Sequence, residues 1–334
     1  MRLNLFTPDK ASEVTKFVES LKTAETIKIV THGGIMHADD VLAVAFIKAY
    51  YIAFSKVRKF EVIRCERTQK PEDIEGKHFV VDLGNRDEFD GQTLWLDHHQ
   101  LESGAYENGV KLAACGKIFD VLNSMDDDVT EYIRTKLLYP VEAVDNGQTF
   151  DDIREHKLNW VKNFNPTFDE SEYNADTMFD LAVIMATQVY ARILKEALSH
   201  RSAKTVFVDA LIRMKDNPEF HNVLFLDKPI PWQDFYFNNL DRCELARYVV
   251  FKDTISNEGY VIRTLPKEQN SFEVKFNLPY DWYGLRGEEL AKKSGIDGAI
   301  FCHKTGFMAK WDTFEHTMEA VHKAIDELTM MPCE

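Results

Sequence analysis

The chain has 334 residues, enough for two domains at about 150 residues each. Its 45% hydrophobic content excludes a disordered chain, and its longest charge-free apolar stretch, Leu181 to Tyr190, is too short for a membrane span. A net charge of −15 excludes a protein that grips duplex nucleic acid over a basic surface, so any such contact must be local or helped by bound cations.

In chain order, the pattern predicts a strand at Ile27–Val30 that runs into Thr31-His32-Gly33-Gly34. A helix follows over about Ala38–Phe54, apolar on most faces and so expected to lie buried against a sheet. Further short strands are predicted at Glu61–Arg64, at Phe79–Val81 before Asp82, and at Thr93–Leu96 before Asp97-His98-His99, the last entering by a hairpin. Helical patterns fill Cys115 to about Val144, and the polar and aromatic stretch Gln148–Ser171 has no clear period. Asn174–Lys215 reads as one or two long helices. After a break at Asp216-Asn217-Pro218, strands are predicted at Val223–Leu226, Tyr248–Phe251, Tyr260–Arg263, Phe272–Phe276 and Ala299–Cys302. Helices are predicted at Arg286–Lys293 and from Thr313, with a turn at Lys304–Gly306. The expected fold class is α/β: a domain over residues 1–175 with a mostly parallel sheet, a helical connector over 176–217, and a smaller α+β domain over 218–334.

Three of the predicted strands end in His or Asp. Ligands of open parallel sheets bind outside the carboxyl ends of the strands, so His32, Asp82 and Asp97-His98-His99 are expected to converge on one crevice. His37 and Asp39 follow His32 closely, which makes a loop of nitrogen and oxygen donors. Mixed His and carboxylate donors suit Mn²⁺, Fe²⁺ or Zn²⁺, and carboxylate-rich six-coordinate sites favour Mn²⁺ or Mg²⁺. Two such cations clamp a phosphate and generate a hydroxide, usually across a bridging carboxylate, for which Asp82 is the best placed. Each residue also has a plain structural role open to it. A strand-end Asp caps a turn, His32 can be a hydrogen-bonded loop residue, and Asp39 and Asp40 can favour a helix N-terminus.

The ordered motifs THGGIMHADD, VVDLG, DHHQ and EAVDNG resemble those of the DHH phosphoesterase superfamily. More closely, with DKPIPWQDF (227–235) and GLRGEEL…SGIDGAIFCHKTGF (284–307), the chain is similar to the melanocyte proliferating gene 1 family, whose members are metal-dependent 3′–5′ RNA exonucleases. The resemblance covers about residues 25–325. It implies a two-metal phosphodiester hydrolase acting on single-stranded RNA through a metal-activated hydroxide, with the site in a cleft between the domains. It also implies that His32 and His37 bind a first cation and that Asp39, His98 and Asp145 bind a second. Asp82 would bridge them, Asp97 would orient a ligating histidine, and His99 would act on the substrate as acid or phosphate ligand. The expected cofactors are two divalent cations, Mn²⁺ first, with Mg²⁺ or another transition metal open. Where the superfamily usually has Asp, this chain has His37; serines that follow the DHH loop in the family are replaced by Lys111–Gly116.

Backbone N–H groups near Gly116, at the start of the next helix, could still hold a phosphate. In the C-terminal half, Arg286, His303, Lys304 and Gly306 are the candidates for substrate contact, since Arg suits bidentate phosphate binding. Arg286 could instead pair with Glu288 or Glu289, and His303 could cap its strand. Pro229–Trp232, Trp160 and Phe164 are expected to pack rather than to stack on bases. The five cysteines show no C-x-x-C spacing, which fits a reducing intracellular compartment. No secretory signal is legible, and the compartment stays open between cytoplasm, nucleus and mitochondrion. Two other readings stand beside the exonuclease: hydrolysis of a small phosphoanhydride or dinucleotide at the same site, and a non-enzymatic metal-binding regulator.

Overall fold

The computed structural model describes residues 5–66, 69–101, 103–149, 157–256, 258–269, 271 and 273–330. It is a mixed α/β structure with two five-stranded sheets, and the chain divides into compact units at 1–198 and 199–334.

In the first unit the strands β1 (Thr26–His32), β2 (Lys59–Cys65), β3 (Phe79–Val81), β4 (Glu88–Phe89) and β5 (Leu94–Leu96) lie in the order β2-β1-β3-β5-β4. The first four in that order are parallel, and β4 closes the edge antiparallel to β5. Both faces are covered, as parallel sheets require. Ile27 and Ile29 of β1 join the large core on one face. Val30, Val80 and Trp95 form a smaller cluster with Cys65 and Ile74.

The helix α2 (Ala38–Phe54) follows β1 and explains its own composition: every residue from Val41 to Ile47 is buried. Full burial of each Val or Leu there contributes about 2 kcal/mol, so the helix needs no polar stripe. It packs with α1 (Pro8–Ser20), which the periodicity does not reveal, and with α3 (Ala114–Leu122), α4 (Asp127–Ile133) and α5 (Tyr139–Asp145). A five-residue π turn, Arg134–Leu138, separates α4 from α5.

Residues 175–216 form one 42-residue helix, α6 (Ala175–Asp216), and the division between the units falls inside it. This helix is long and apolar enough, by length and composition alone, to cross a membrane. Yet Phe179, Ala182, Val183, Ala186, Ile193 and Ala197 lie in the core of the first unit. Phe207, Ala210 and Met214 lie in a core of the second.

The second unit holds β6 (Val223–Leu226), β7 (Tyr248–Lys252), β8 (Tyr260–Thr264), β9 (Ala299–Cys302) and β10 (Met308–Trp311), in the order β6-β7-β8-β10-β9. Only β6 and β7 are parallel. The helices α7 (Trp232–Phe237), α8 (Gly287–Ser294) and α9 (Phe314–Met330) complete it. The strand expected at Phe272–Phe276 is corrected. Phe272 lies outside the described residues, and Val274 makes only an isolated bridge to Pro266. Two bonds flank that bridge, Lys267 N–H to the Glu273 carbonyl and Lys275 N–H to the Leu265 carbonyl, both at 2.8 Å, and the pairing stops at Thr264, which is already paired with Tyr248 and donates to the Phe307 carbonyl. Trp232 is buried, and Trp160 packs edge-on against Phe164 at 5.7 Å. Cys65, Cys115, Cys243 and Cys302 are free and buried, while Cys333 lies outside the described residues.

Candidate metal centre

The parallel strands β1, β3 and β5 all end on the same side, and each delivers a donor there. His32 is the last residue of β1. Its Nδ1 donates to the Gly33 carbonyl oxygen at 2.9 Å, which turns Nε2 toward Asp82 and Asp40. The loop that follows is held from outside. Arg64 donates to the Gly34 carbonyl at 2.6 Å, and Asn165 bonds both the N–H and the carbonyl of Met36 at 2.8 and 2.9 Å. That loop brings His37 to the start of α2.

Asp82 follows β3 with a left-handed backbone, φ 55°, a conformation Asp and Asn tolerate better than other residues with a Cβ. Its N–H donates to the Leu96 carbonyl at 3.0 Å, which ties it to β5. One carboxylate oxygen lies 3.2 Å from His32 Nε2, and the other 3.2 Å from His98 Nε2. Asp82 therefore belongs to two of three overlapping groups of donors among the described residues. One comprises His32, His37 and Asp82, and another Asp82, Asp97, His98 and His99. The third comprises Asp39, His98 and Asp145, and within each group one ligand atom per residue lies within 4.8 Å of the others.

Asp39 and Asp40 occupy the first turn of α2, and both are fully buried. Asp39 accepts the backbone N–H groups of Ala114 at 3.1 Å and Cys115 at 2.7 Å, where α3 begins. Burial, and the charges of Asp82 and Asp145, push its carboxyl above the usual range, against the pull of His98. Asp145 ends α5, where a negative charge opposes the helix dipole. His98 Nε2 lies 3.0 Å from it.

His98 is raised to about 11: burial works against its charge, but the carboxylates of Asp145 and Asp82 beside its Nε2 outweigh burial. His32 is raised to about 9 in the same way, by Asp82 and Asp40. Asp82 is held below the usual carboxylate range; burial opposes this, and the two histidines overcome it.

Asp40 is the residue that sequence reasoning passed over. One oxygen accepts the N–H groups of His37 at 2.9 Å and Val41 at 2.7 Å. The other is buried without a hydrogen bond, 3.3 Å from His32 Nε2. Burial, reinforced by Asp82 and opposed by His32, raises its carboxyl to about 7. His32 Nε2 and Asp82 Oδ1 are likewise buried with no hydrogen-bond partner. Orphaned buried polar atoms at such spacing are costly in a protein and natural around a cation. Donors at right angles on a metal about 2.1 Å away lie about 3 Å apart. The residues present fit divalent cations.

Asp97 orients His99 rather than His98. Its Oδ1 lies 2.7 Å from His99 Nδ1 and also accepts the His98 and His99 N–H groups. His99 is half exposed and, with His37, lines two cavities. One, of about 620 Å³, also touches His98, Asp145, Asn146 and Lys162; the other, of about 340 Å³, touches His32, Asp82 and Asn85.

Gly116 lies buried in α3. A Cβ there would sit 2.0 Å from Glu142 Oε1, so close packing demands glycine. Ala113 N–H donates to Glu142 at 2.9 Å, and the next two N–H groups to Asp39. The N–H groups of Ala113, Ala114 and Cys115 are thus engaged by the chain's own carboxylates.

The remaining candidates belong to the second unit. His303 Nδ1 lies 2.9 Å from Thr305 Oγ1, and its ring meets Phe307 edge-on at 4.5 Å. It lines a cavity of about 780 Å³ with Arg263, Thr264, Asn277, Thr305 and Phe307. Arg286 precedes α8 and sits 5.7 Å from the Phe301 ring. Lys304 is exposed. Gly306 is left-handed at φ 68°, and a Cβ there would lie 2.1 Å from Tyr283.

Comparison with known proteins adds the lineage. The MYG1_exonuc family model, described as an uncharacterised protein family (UPF0160), matches residues 28–325. A MYG1 protein of Chlamydia muridarum is 29% identical over 311 residues, covering 89% of this chain and 96% of its own length. One from Schizosaccharomyces pombe is 26% identical over 332 residues, 90% and 98% of the two chains. A human relative named MYG1 exonuclease is 25% identical over 340 residues, 91% of this chain and 87% of its own. With most of its length matched by the family model, the chain belongs to the MYG1 family.

Proposed function

We propose that this chain is a metal-dependent phosphodiester hydrolase of DHH type, a 3′–5′ exoribonuclease on single-stranded RNA that works with two Mn²⁺ ions. The observation that carries the reading is the row of buried, unbonded donor atoms on His32, Asp40 and Asp82, continued through His98 to Asp39 and Asp145. The name of the human relative, MYG1 exonuclease, supports the same chemistry. His32 and His37 would hold one cation, with Asp40 beside them. Asp39, His98 and Asp145 would hold the other, and Asp82 would be shared. Two bound cations supply a hydroxide at neutral pH and offset the charge that develops on the phosphate.

The chain's own residues do the rest. The Gly33 carbonyl and the α3 N–H groups fix His32 and Asp39 in their donor orientations. Asp97 accepts a hydrogen bond from His99 Nδ1, so a second proton on the ring sits on Nε2, from which it would donate to the phosphate or pass to the leaving oxygen. The cavity beside His98 has room for a nucleotide. In the second unit, His303 is our choice for substrate contact, followed by Arg286, Lys304 and Gly306.

The test is hydrolysis of a 5′-labelled single-stranded RNA with Mn²⁺, Mg²⁺ or chelator, using wild type and Asp82→Asn. A ladder shortening from the 3′ end that requires both metal and Asp82 is the expected result. Full activity with chelator present, or in Asp82→Asn, would overturn it. Faster turnover of a two-nucleotide than of a twenty-nucleotide RNA would move the substrate to small dinucleotides.

A further inference from the structure

Lys117 is a lysine where none is expected. It lies in the middle of α3 and is completely buried, and a buried ammonium persists only when paired. Its Nζ donates to Asp87 Oδ2 at 2.6 Å and to the backbone carbonyl of Asp97 at 2.5 Å. The other oxygen of Asp87 accepts the Asp97 N–H at 3.2 Å. Gln100 closes the circle, with Nε2 donating to Asp87 Oδ2 at 2.8 Å and to the Asp97 carbonyl at 2.9 Å. Strand β5 ends at Leu96, so Asp97 lies beyond the ladder, and side chains satisfy both of its backbone polar groups.

We infer that Lys117, Asp87 and Gln100 form a clamp on the Asp97 backbone that positions His98, so that Lys117 governs the affinity of the second cation without touching it. The inference rests on the metal reading proposed above. The peptide that Lys117 grips is the one joining Asp97 to His98, whose Nε2 stands 3.0 Å from Asp145 and 3.2 Å from Asp82. A metal position tolerates little displacement of its donors, and residues that hold ligands in place typically govern about 10–100-fold in affinity. The second unit supplies a matched control. Lys310 is also buried and pairs with Asp253 at 2.8 Å and Ser256 at 2.6 Å, within a loop that bears none of the clustered donors. Lys117 and Gln100 are positioning residues in this account.

The experiment is titration of the metal-free full-length chain with Mn²⁺ alone, followed by calorimetry and by the resonance of free Mn²⁺. Wild type is expected to bind two ions. Lys117→Met is expected to bind one of them about 10–100-fold more weakly and the other nearly as before, whereas Lys310→Met keeps both. A folded Lys117→Met with both constants unchanged would overturn the inference. Should that variant not fold, Gln100→Leu keeps the Lys117–Asp87 pair and removes two hydrogen bonds to the clamp. It is expected to weaken the same ion, and no change in it would overturn the inference. Equal weakening of both ions in either variant would also count against the clamp, as general loosening. A wild type that binds no Mn²⁺ would defeat the metal reading itself, an outcome distinct from the clamp failing alone.

Discussion

The two sheets finish their strands differently. In the first, β1, β3 and β5 run parallel, so the residues after them, His32, Asp82 and Asp97–His99, gather on one side. In the second, three of the four strand pairs are antiparallel, and strand ends alternate between the two sides. Buried polar groups differ accordingly. Lys310 finds a carboxylate and a hydroxyl, and its charge is answered within the unit. His32, Asp40 and Asp82 leave buried atoms unanswered. Unsatisfied buried carboxylate and imidazole atoms that share a space are what a bound cation would satisfy.

This contrast can be broken by substitution. The largest effect is expected for Asp82→Asn. On the proposed two-cation reading, loss of this carboxylate should lower RNA hydrolysis on the order of 10³-fold, corresponding to about 4 kcal/mol of lost charge stabilisation. Urea unfolding of the metal-free protein should change little. Lys310→Met should do the reverse: about 2 kcal/mol of stability lost in urea titration, with the rate per folded molecule kept. Gly116→Ala tests the packing under the first site. The added methyl must displace Glu142, which should cost about 2 kcal/mol and lower the midpoint of unfolding.

The smallest effect concerns the opposite end of the first sheet. His78 Nδ1 accepts the Lys28 N–H at 3.0 Å, and burial, with the Lys28 charge, holds its pKa below the usual value of 6.5. A depressed folded-state pKa contributes stability above the unfolded value, and that stability is lost as pH falls through the lower folded value. Urea midpoints of wild type should therefore decline between about pH 7 and about pH 5 more steeply than those of His78→Asn, which does not titrate there. Identical slopes would remove His78 from the account.

Much of this arrangement is legible in the chain itself, because strand-end chemistry is local. Short strand-like runs that stop at His or Asp mark β1, β3 and β5 and the donors at their ends. What escapes the sequence depends on burial. Asp40 reads as a charge favouring the start of a helix, and only its enclosure against His32 shows otherwise. Nothing in the local sequence sets Lys117 apart, and its role shows only where Asp87 and the Asp97 carbonyl surround it. The N-terminus of α3 looks open to a phosphate, yet Asp39, from far back in the chain, already fills it. The strand β4 has two residues and no period to detect, and α1 carries only Val14 and Val18 as buried anchors.

The backbone of Asp82 has a consequence for how this position can vary. At φ 55° a side chain must be one the left-handed region admits, and as a donor it must carry an acidic oxygen. Glutamate, the obvious chemical substitute, meets the second demand and strains the first; asparagine meets the first and fails the second. A library randomised at codon 82 should yield folded proteins mainly with Asn or Gly, and active ones with the original residue. Position 82 would then be invariant among active relatives for two unrelated reasons, each sufficient to defeat a substitute that answers the other.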